Sequence, residues 1–249
     1  MVNPELMLRF RPVSRLSRYF PLLLGVTFMV FTVLICMIFL VAPQAQATAG
    51  GLAQKIFYFH VPAAYAMYLS GTVCFLASAA YLAGATDTRN AIAKAGAECA
   101  VVFGFMMLTS GPLWAKKAWG VYWTWDPRLT TTMLSVMVYV AVVVLRAFTG
   151  DGEAERKFAA ALGVLGTVNL PIIHYSVLKW GGNHPTVIGR GGGGLSHPAM
   201  RQTLALGFVA MTLLAIVLLW MRARVALLAS QLARAEEEAL ALEPEENTP

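Results

Sequence analysis

Six stretches of this chain stay apolar for about twenty residues at a time, and most of its charged residues fall between them. The stretches are residues 21–42, 62–85, 95–115, 129–148, 158–178 and 203–221. A bilayer core about 30 Å thick takes about 20 helical residues to cross, so each stretch predicts one transmembrane helix. The breaks are polar or rich in glycine and proline, as membrane loops are. The fold class that follows is all-α, a polytopic membrane protein built as a bundle of six transmembrane helices. The chain divides into a basic leader (1–20), a six-span domain (21–221) with a tryptophan-rich loop at 114–128, and an acidic tail (222–249). The first stretch lies between a basic leader and Ala45-Gln46-Ala47, as a cleavable signal would. Its run of about 22 residues exceeds the 7–15 of a signal's apolar region, which predicts a retained anchor.

Composition narrows the function classes. Only 13% of the residues are charged, 58% are hydrophobic and the mean hydropathy is +0.63. Soluble domains carry about 25% charged residues, so an ordinary soluble enzyme, a nucleic-acid binder and a disordered chain are all excluded. The net charge of +6 then reads as a topology signal. The cysteines (Cys36, Cys74, Cys99) stand singly in apolar runs with no CxxC, which gives no support to a disulfide framework, a zinc site or a thioredoxin-like motif.

Basic residues set the orientation. With the N-terminus placed inside, 12 of the 19 Lys and Arg lie on that side and 7 outside. The excess predicts cytoplasmic N- and C-termini. Eleven of the 13 acidic residues also fall inside, Glu98 sits within the third span and Asp126 is outside. The outer loops thus carry 7 − 1 = +6, which suits lipid phosphates or an anionic ligand or partner. All four histidines, His60, His174, His184 and His197, belong to the outer half.

The most informative segment joins spans three and four. It reads Trp119-Gly120-Val121-Tyr122-Trp123-Thr124-Trp125-Asp126-Pro127-Arg128, preceded by Trp114, Lys116 and Lys117. Interfacial aromatic belts are common, yet a belt does not require three Trp and a Tyr within seven residues. If helical, the loop would put Trp119, Trp123 and Asp126 on one face beside Tyr122, an aromatic shelf on the membrane surface. Asp126-Pro127 also fits an N-cap followed by a proline at the first helical position, and both roles are compatible.

A ligand for these parts is flat, apolar, anionic at its edge and able to take an imidazole nitrogen. Haem meets all three conditions: its faces stack on aromatics, its propionates want Lys116, Lys117 and Arg128, and its iron takes axial histidine. His60 and His184 are the best axial candidates, with an interfacial histidine as the plain alternative for each. His60 precedes Val61-Pro62, a helix-start pattern. His184 sits in the run Trp180-Gly181-Gly182-Asn183-His184-Pro185. His174 is read as satisfying polar groups freed by Pro171, and His197-Pro198 as the cap region of span six. Asn169 and Glu98 are polar groups at membrane depth. Interhelical packing explains Asn169 equally well, and for Glu98 a structural bond and a partner contact stay open. The run Gly189–Gly194 reads as slack beside His184.

The tryptophan-rich loop ending in Asp126, with Phe59-His60-Val61-Pro62-Ala63-Ala64 and Val168-Asn169-Leu170-Pro171-Ile172-Ile173-His174-Tyr175-Ser176-Val177, resembles the WWD-type haem-handling proteins, in particular the cytochrome c maturation protein C (haem exporter protein C) family. The likeness covers nearly the whole chain. It implies a bacterial inner-membrane protein that presents transiently bound b-type haem to a periplasmic haem chaperone, with the outer loops periplasmic. It also implies a second six-span membrane subunit, an ATP-binding cassette subunit and a small single-span protein as partners. The family's axial histidines match His60 and His184, and its aromatic motif matches Trp119, Gly120, Trp123, Trp125 and Asp126. Tyr122 stands where another Trp is expected, and Lys179-Trp180-Gly181 replaces a tandem Trp. The glycine-rich insert and the acidic tail lie outside the family pattern. Two other classes stay open: a membrane b-type cytochrome, which needs histidines paired at membrane depth, and a structural subunit of an ABC transporter complex. No nucleophile–base pair, metal-protease motif or nucleotide loop is present, and no catalysis is expected.

Overall fold

The computed structural model describes residues 18–47, 50–148, 152–182, 184 and 194–241. The basic leader up to residue 17, Asn183, the stretch 185–193 with most of the glycine run, and the last acidic residues from 242 lie outside the described residues. Six helices long and apolar enough to cross a membrane account for nearly all the rest. They are α1 (Phe20–Cys36, continued by a wider turn over Met37–Val41), α2 (Phe57–Ala83), α3 (Asp87–Trp119), α4 (Pro127–Phe148), α5 (Glu153–Trp180) and α6 (Pro198–Ala241). The six expected spans are all present, but most helices are longer than their apolar runs. At about 1.5 Å per residue, the 33 residues of α3 and the 44 of α6 exceed a bilayer core. Their polar ends run on past the apolar stretches, with the backbone still bonded within the helix.

Helices α2, α3, α4 and α5 form a ring, each packed on the next and α5 closing on α2, while α6 lies along α2 and α3. α1 touches mainly α6, and its apolar side chains are largely exposed, as a lipid-facing helix requires. The ring closes because small residues bring backbones together, the usual device where lipid supplies no hydrophobic drive between helices. A methyl group on Gly96 of α3 would meet the Cys74 backbone nitrogen of α2 at 2.6 Å. Pro62 of α2 cannot donate to the Tyr58 carbonyl four residues back. Gly207 of α6 approaches that carbonyl so closely that a methyl there would lie 2.7 Å from its oxygen. Polar stitches run across the ring: Tyr139 and Thr167 hydroxyls at 3.1 Å, and Asn169 Nδ2 donating to the Thr131 carbonyl and to Ser135 Oγ, both at 2.7 Å. Asn169 therefore takes the interhelical packing role.

At the end of the bundle where α6 finishes, charges hold the elements. Glu98 of α3 takes a two-pronged bond from Arg222 of α6, at 2.6 and 3.0 Å. Asp87, at the start of α3, pairs with Arg156 of α5 at 2.8 Å and Arg234 of α6 at 2.7 Å. Eleven residues separate Glu98 from Asp87 and twelve separate Arg222 from Arg234, so α6 runs antiparallel to α3 in register. The segment expected as a separate acidic tail thus begins, through residue 241, as the continuation of α6. The question left open for Glu98 is answered by an ion pair within the chain.

Candidate functional site

The opposite end of the bundle gathers the aromatic residues. α3 carries Trp114, Lys116, Lys117 and Trp119 on its last turns, and Gly120 stops it in the left-handed conformation (φ 79°) that glycine adopts without strain. The expected continuous helical face through Trp119, Trp123 and Asp126 does not form. Residues 120–126 are irregular, because a left-handed cap cannot propagate a helix. The aromatic surface is instead built from two pieces: the end of α3 and the loop folded back on it.

Asp126 anchors that loop. It is buried, and its Oδ1 accepts from the Arg128 backbone N–H at 2.9 Å, the N-cap of α4. Its Oδ2 faces the His184 backbone N–H at 3.4 Å. A methyl group on Gly182 (φ 146°) would collide with this carboxylate, so a glycine there lets the segment after α5 close on the cap. The cap reading and a role near the site hold together.

His60 lies in the first turns of α2. The helix begins at Phe57, behind a short tighter turn over Gly51–Ile56, so Pro62 is its sixth residue and not its start. The helix-start reading of Val61-Pro62 is corrected accordingly. Its Nδ1 lies 3.0 Å from Ser110 Oγ of α3, and Gly111 leaves space for the ring. His184 comes from the segment after α5, its Nδ1 3.4 Å from Arg128 Nη1. The two imidazoles, 124 positions apart in sequence, stand 6.5 Å centre to centre and tilted by 34°. They share a hollow with Trp114, Trp119, Tyr122 and Trp123. A water-sized sphere can move through only a small part of it, while its whole volume out to the open side is about 500 Å³. Trp114 and Trp119 meet edge to face at 5.2 Å, and Trp114 Nε1 donates to buried Gln54 at 3.1 Å. Trp123 Nε1 and Thr124 Oγ1 are buried without a partner among the described residues.

The expected residues divide. His60, His184, Trp114, Trp119, Tyr122 and Trp123 converge on the hollow. Gly120 and Asp126 do not line it: Gly120 ends α3, and Asp126 caps α4 and holds the His184 backbone. Trp125 turns away, 75% exposed, and with exposed Trp180 flanks a second, more open hollow of about 540 Å³ out to its open side. Lys116 donates to the Gly120 carbonyl at 2.9 Å and lies 5.2 Å over the Tyr122 ring, bracing the cap from outside. Lys117 is exposed on α3 and does not line the hollow. Of the three cations, Arg128 is the one that contacts a candidate axial histidine among the described residues. His174 does not serve the groups freed by Pro171: its ring is exposed and packs edge-on against Tyr175, while its carbonyl accepts from Arg128 Nη2 at 3.1 Å. His197 caps α6 as expected, accepting from the Ala199 N–H at 3.1 Å.

Ser110, Gly111 and Gln54 were not singled out in the sequence. A serine within an apolar helix is a polar group at membrane depth and was a usable signal. Nothing local marks Gln54, whose partner is sixty residues away.

The donor set fits an iron porphyrin. Two imidazoles bonded at about 2 Å to opposite sides of one metal have ring centres roughly 6 Å apart, close to the spacing found. The unpartnered indole N–H and the aromatic walls suit a flat acceptor-edged molecule.

Comparison with known proteins agrees with this chemistry. A family profile described as "Heme exporter protein C" matches residues 4–238. The heme exporter protein C of Bradyrhizobium diazoefficiens is 33% identical over 169 residues, 68% of this chain and 64% of that protein, so the match spans a little under two thirds of its length. That of Escherichia coli is 35% identical over 179 residues, 70% of each chain. A Marchantia polymorpha protein described as a putative cytochrome c biosynthesis ccmC-like mitochondrial protein is 28% identical over 167 residues, 67% of this chain and 70% of its own. A profile match running from ahead of α1 into the extension of α6 shows that the chain belongs to the heme exporter protein C family.

Proposed function

We propose that this chain carries haem as cargo in cytochrome c biogenesis, holding it at the aromatic end of the bundle and presenting it to a periplasmic haem chaperone. The observation that carries the reading is the meeting of His60 and His184 at 6.5 Å in an aromatic hollow. In this role the iron takes one nitrogen from each imidazole. Trp114, Trp119, Tyr122 and Trp123 flank the ring, and Arg128 stands nearest for a propionate. Lys116 and Lys117, on the outer turns of α3, add positive potential at the mouth.

The small deep space matters for the mechanism. The enclosed part is far too small for a porphyrin, so a macrocycle seats from the open side with its rim exposed. A carrier built this way gives up its cargo without unfolding its bundle. The role is carriage and needs no bond-making catalysis by the chain. Within the same reading, the aromatic end faces the periplasm of a bacterial inner membrane and both termini face the cytoplasm. The partners are the chaperone, a second six-span subunit, an ATP-binding cassette subunit and a small single-span protein.

The test is the visible spectrum of the detergent-purified full chain loaded with haem, compared with His60→Ala and His184→Ala. Wild type is expected to show a six-coordinate bis-histidine spectrum, and each variant to lose it while keeping its elution volume. Bis-histidine spectra in both variants would overturn the ligation scheme.

A further inference from the structure

The two histidines are held by partners of opposite hydrogen-bonding sense. Ser110 has one hydroxyl proton, which it gives to the Met106 carbonyl at 2.6 Å, with Met107 more distant at 3.5 Å. Toward His60 Nδ1, 3.0 Å away, the same oxygen acts as acceptor, so Nδ1 carries the proton. The lone pair of neutral His60 is then on Nε2, ready for a metal. His184 is the reverse. Its Nδ1 faces Arg128 Nη1 at 3.4 Å, and a guanidinium has only protons to give. Nδ1 accepts, and the proton of the neutral ring sits on Nε2.

Arg128 itself is incompletely bonded. Nη2 reaches the His174 carbonyl at 3.1 Å, but Nε is buried with no partner among the described residues. A carboxylate offers this side chain paired, charge-assisted bonds, stronger than a long contact to a neutral imidazole.

We infer that Arg128 gates the second axial ligand: it holds His184 in the tautomer that cannot ligate through Nε2 until a propionate of the arriving haem draws the guanidinium away, while Ser110 keeps His60 preset. The inference rests on the haem-carrier reading above. Once Arg128 is withdrawn, the His184 proton moves from Nε2 to Nδ1 through solvent with no net gain or loss. The Nε2 lone pair then forms the second coordinate bond to iron, and nothing is oxidised or reduced. Outer partners of this kind fix the tautomer and orientation of metal-binding histidines. In reverse, the return of Arg128 loosens His184 first and leaves haem on His60 alone, which suits hand-over.

The experiment compares iron(III) protoporphyrin IX with its dimethyl ester, which lacks free propionates, on the detergent-purified full chain, read by visible and electron paramagnetic resonance spectra. Wild type with the free acid is expected to be low-spin and six-coordinate. Wild type with the ester is expected to stay high-spin on one histidine. Arg128→Met, with Arg128→Leu as a second variant, is expected to restore the low-spin spectrum with the ester. Ser110→Ala is expected to weaken capture of both porphyrins by about 10- to 100-fold, the usual range for loss of such a partner. A low-spin ester complex in wild type overturns the gate and leaves the carrier reading standing, and this arm needs no variant to fold. A high-spin ester complex in both Arg128 variants also overturns it. Failure of wild type to become six-coordinate with the free acid removes the carrier reading itself.

Discussion

The two ends of this bundle both place half-buried arginines among helix ends, and they use them differently. Where α6 finishes, Arg222 meets Glu98, Arg156 and Arg234 meet Asp87, and Arg146 donates to Asn90 at 2.6 Å. Each of these guanidiniums has an acidic or amide oxygen within the chain. At the aromatic end the Arg128 guanidinium bonds an imidazole and a carbonyl, while the Asp126 carboxylate near it bonds backbone N–H groups instead. Trp123 and Thr124 beside it bury polar atoms with no partner among the described residues. One end pairs its arginines with oxygens of the chain itself. The other keeps donors in reserve, which costs stability unless something bound uses them.

Substitutions at the two ends should therefore separate haem capture from stability. The largest effect is expected for His60→Ala, with loss of nearly all bound haem by absorbance, followed by His184→Ala, which should keep a weaker five-coordinate, high-spin complex on His60, both with little change in thermal unfolding. Gly182→Ala comes next. A methyl group there collides with Asp126 in a backbone conformation that L residues rarely adopt, at a cost of about 1–3 kcal/mol. Because His184 follows closely, haem affinity should fall together with unfolding temperature. If only the temperature falls, Asp126 does not position the second histidine. Asn169→Ala breaks two bonds between α4 and α5 and is expected to cost about 1–2 kcal/mol, measured by thermal unfolding in detergent, with haem capture unchanged. The smallest effect is expected for Arg234→Ala. That side chain is 61% exposed, so its pair with Asp87 contributes at most about 1 kcal/mol and less in high salt. A large loss of haem on breaking this pair would erase the distinction between the ends.

A further contrast lies along α3. Its first half meets α2 through Gly96 and α6 through Glu98, while its last turns carry Ser110, Gly111, Trp114 and Trp119 toward the hollow. One continuous rod thus links the zipped end to the site. That explains why the aromatic residues expected in a loop sit partly on a helix: the apolar run stops near residue 115, but backbone bonding carries the helix on until Gly120 ends it.

Much of this protein was legible in its sequence. Hydropathy depends on residues within about twenty positions of each other, so the six spans, their approximate limits and the cap of α6 at His197 could be read locally. The aromatic cluster and the candidate histidines were visible for the same reason, since their residue types carry the chemistry. Contacts across the ring were not. That Glu98 pairs with Arg222, that Gln54 holds Trp114, that Ser110 and Arg128 set the two imidazoles in opposite senses, and that Trp125 turns away from the hollow all depend on distances between segments 50 to 130 residues apart. Periodicity says which residues enter the bilayer. Only the packing of one helix on another decides which polar atoms find each other there, because each such bond is fixed by two backbones whose relative placement no single segment encodes.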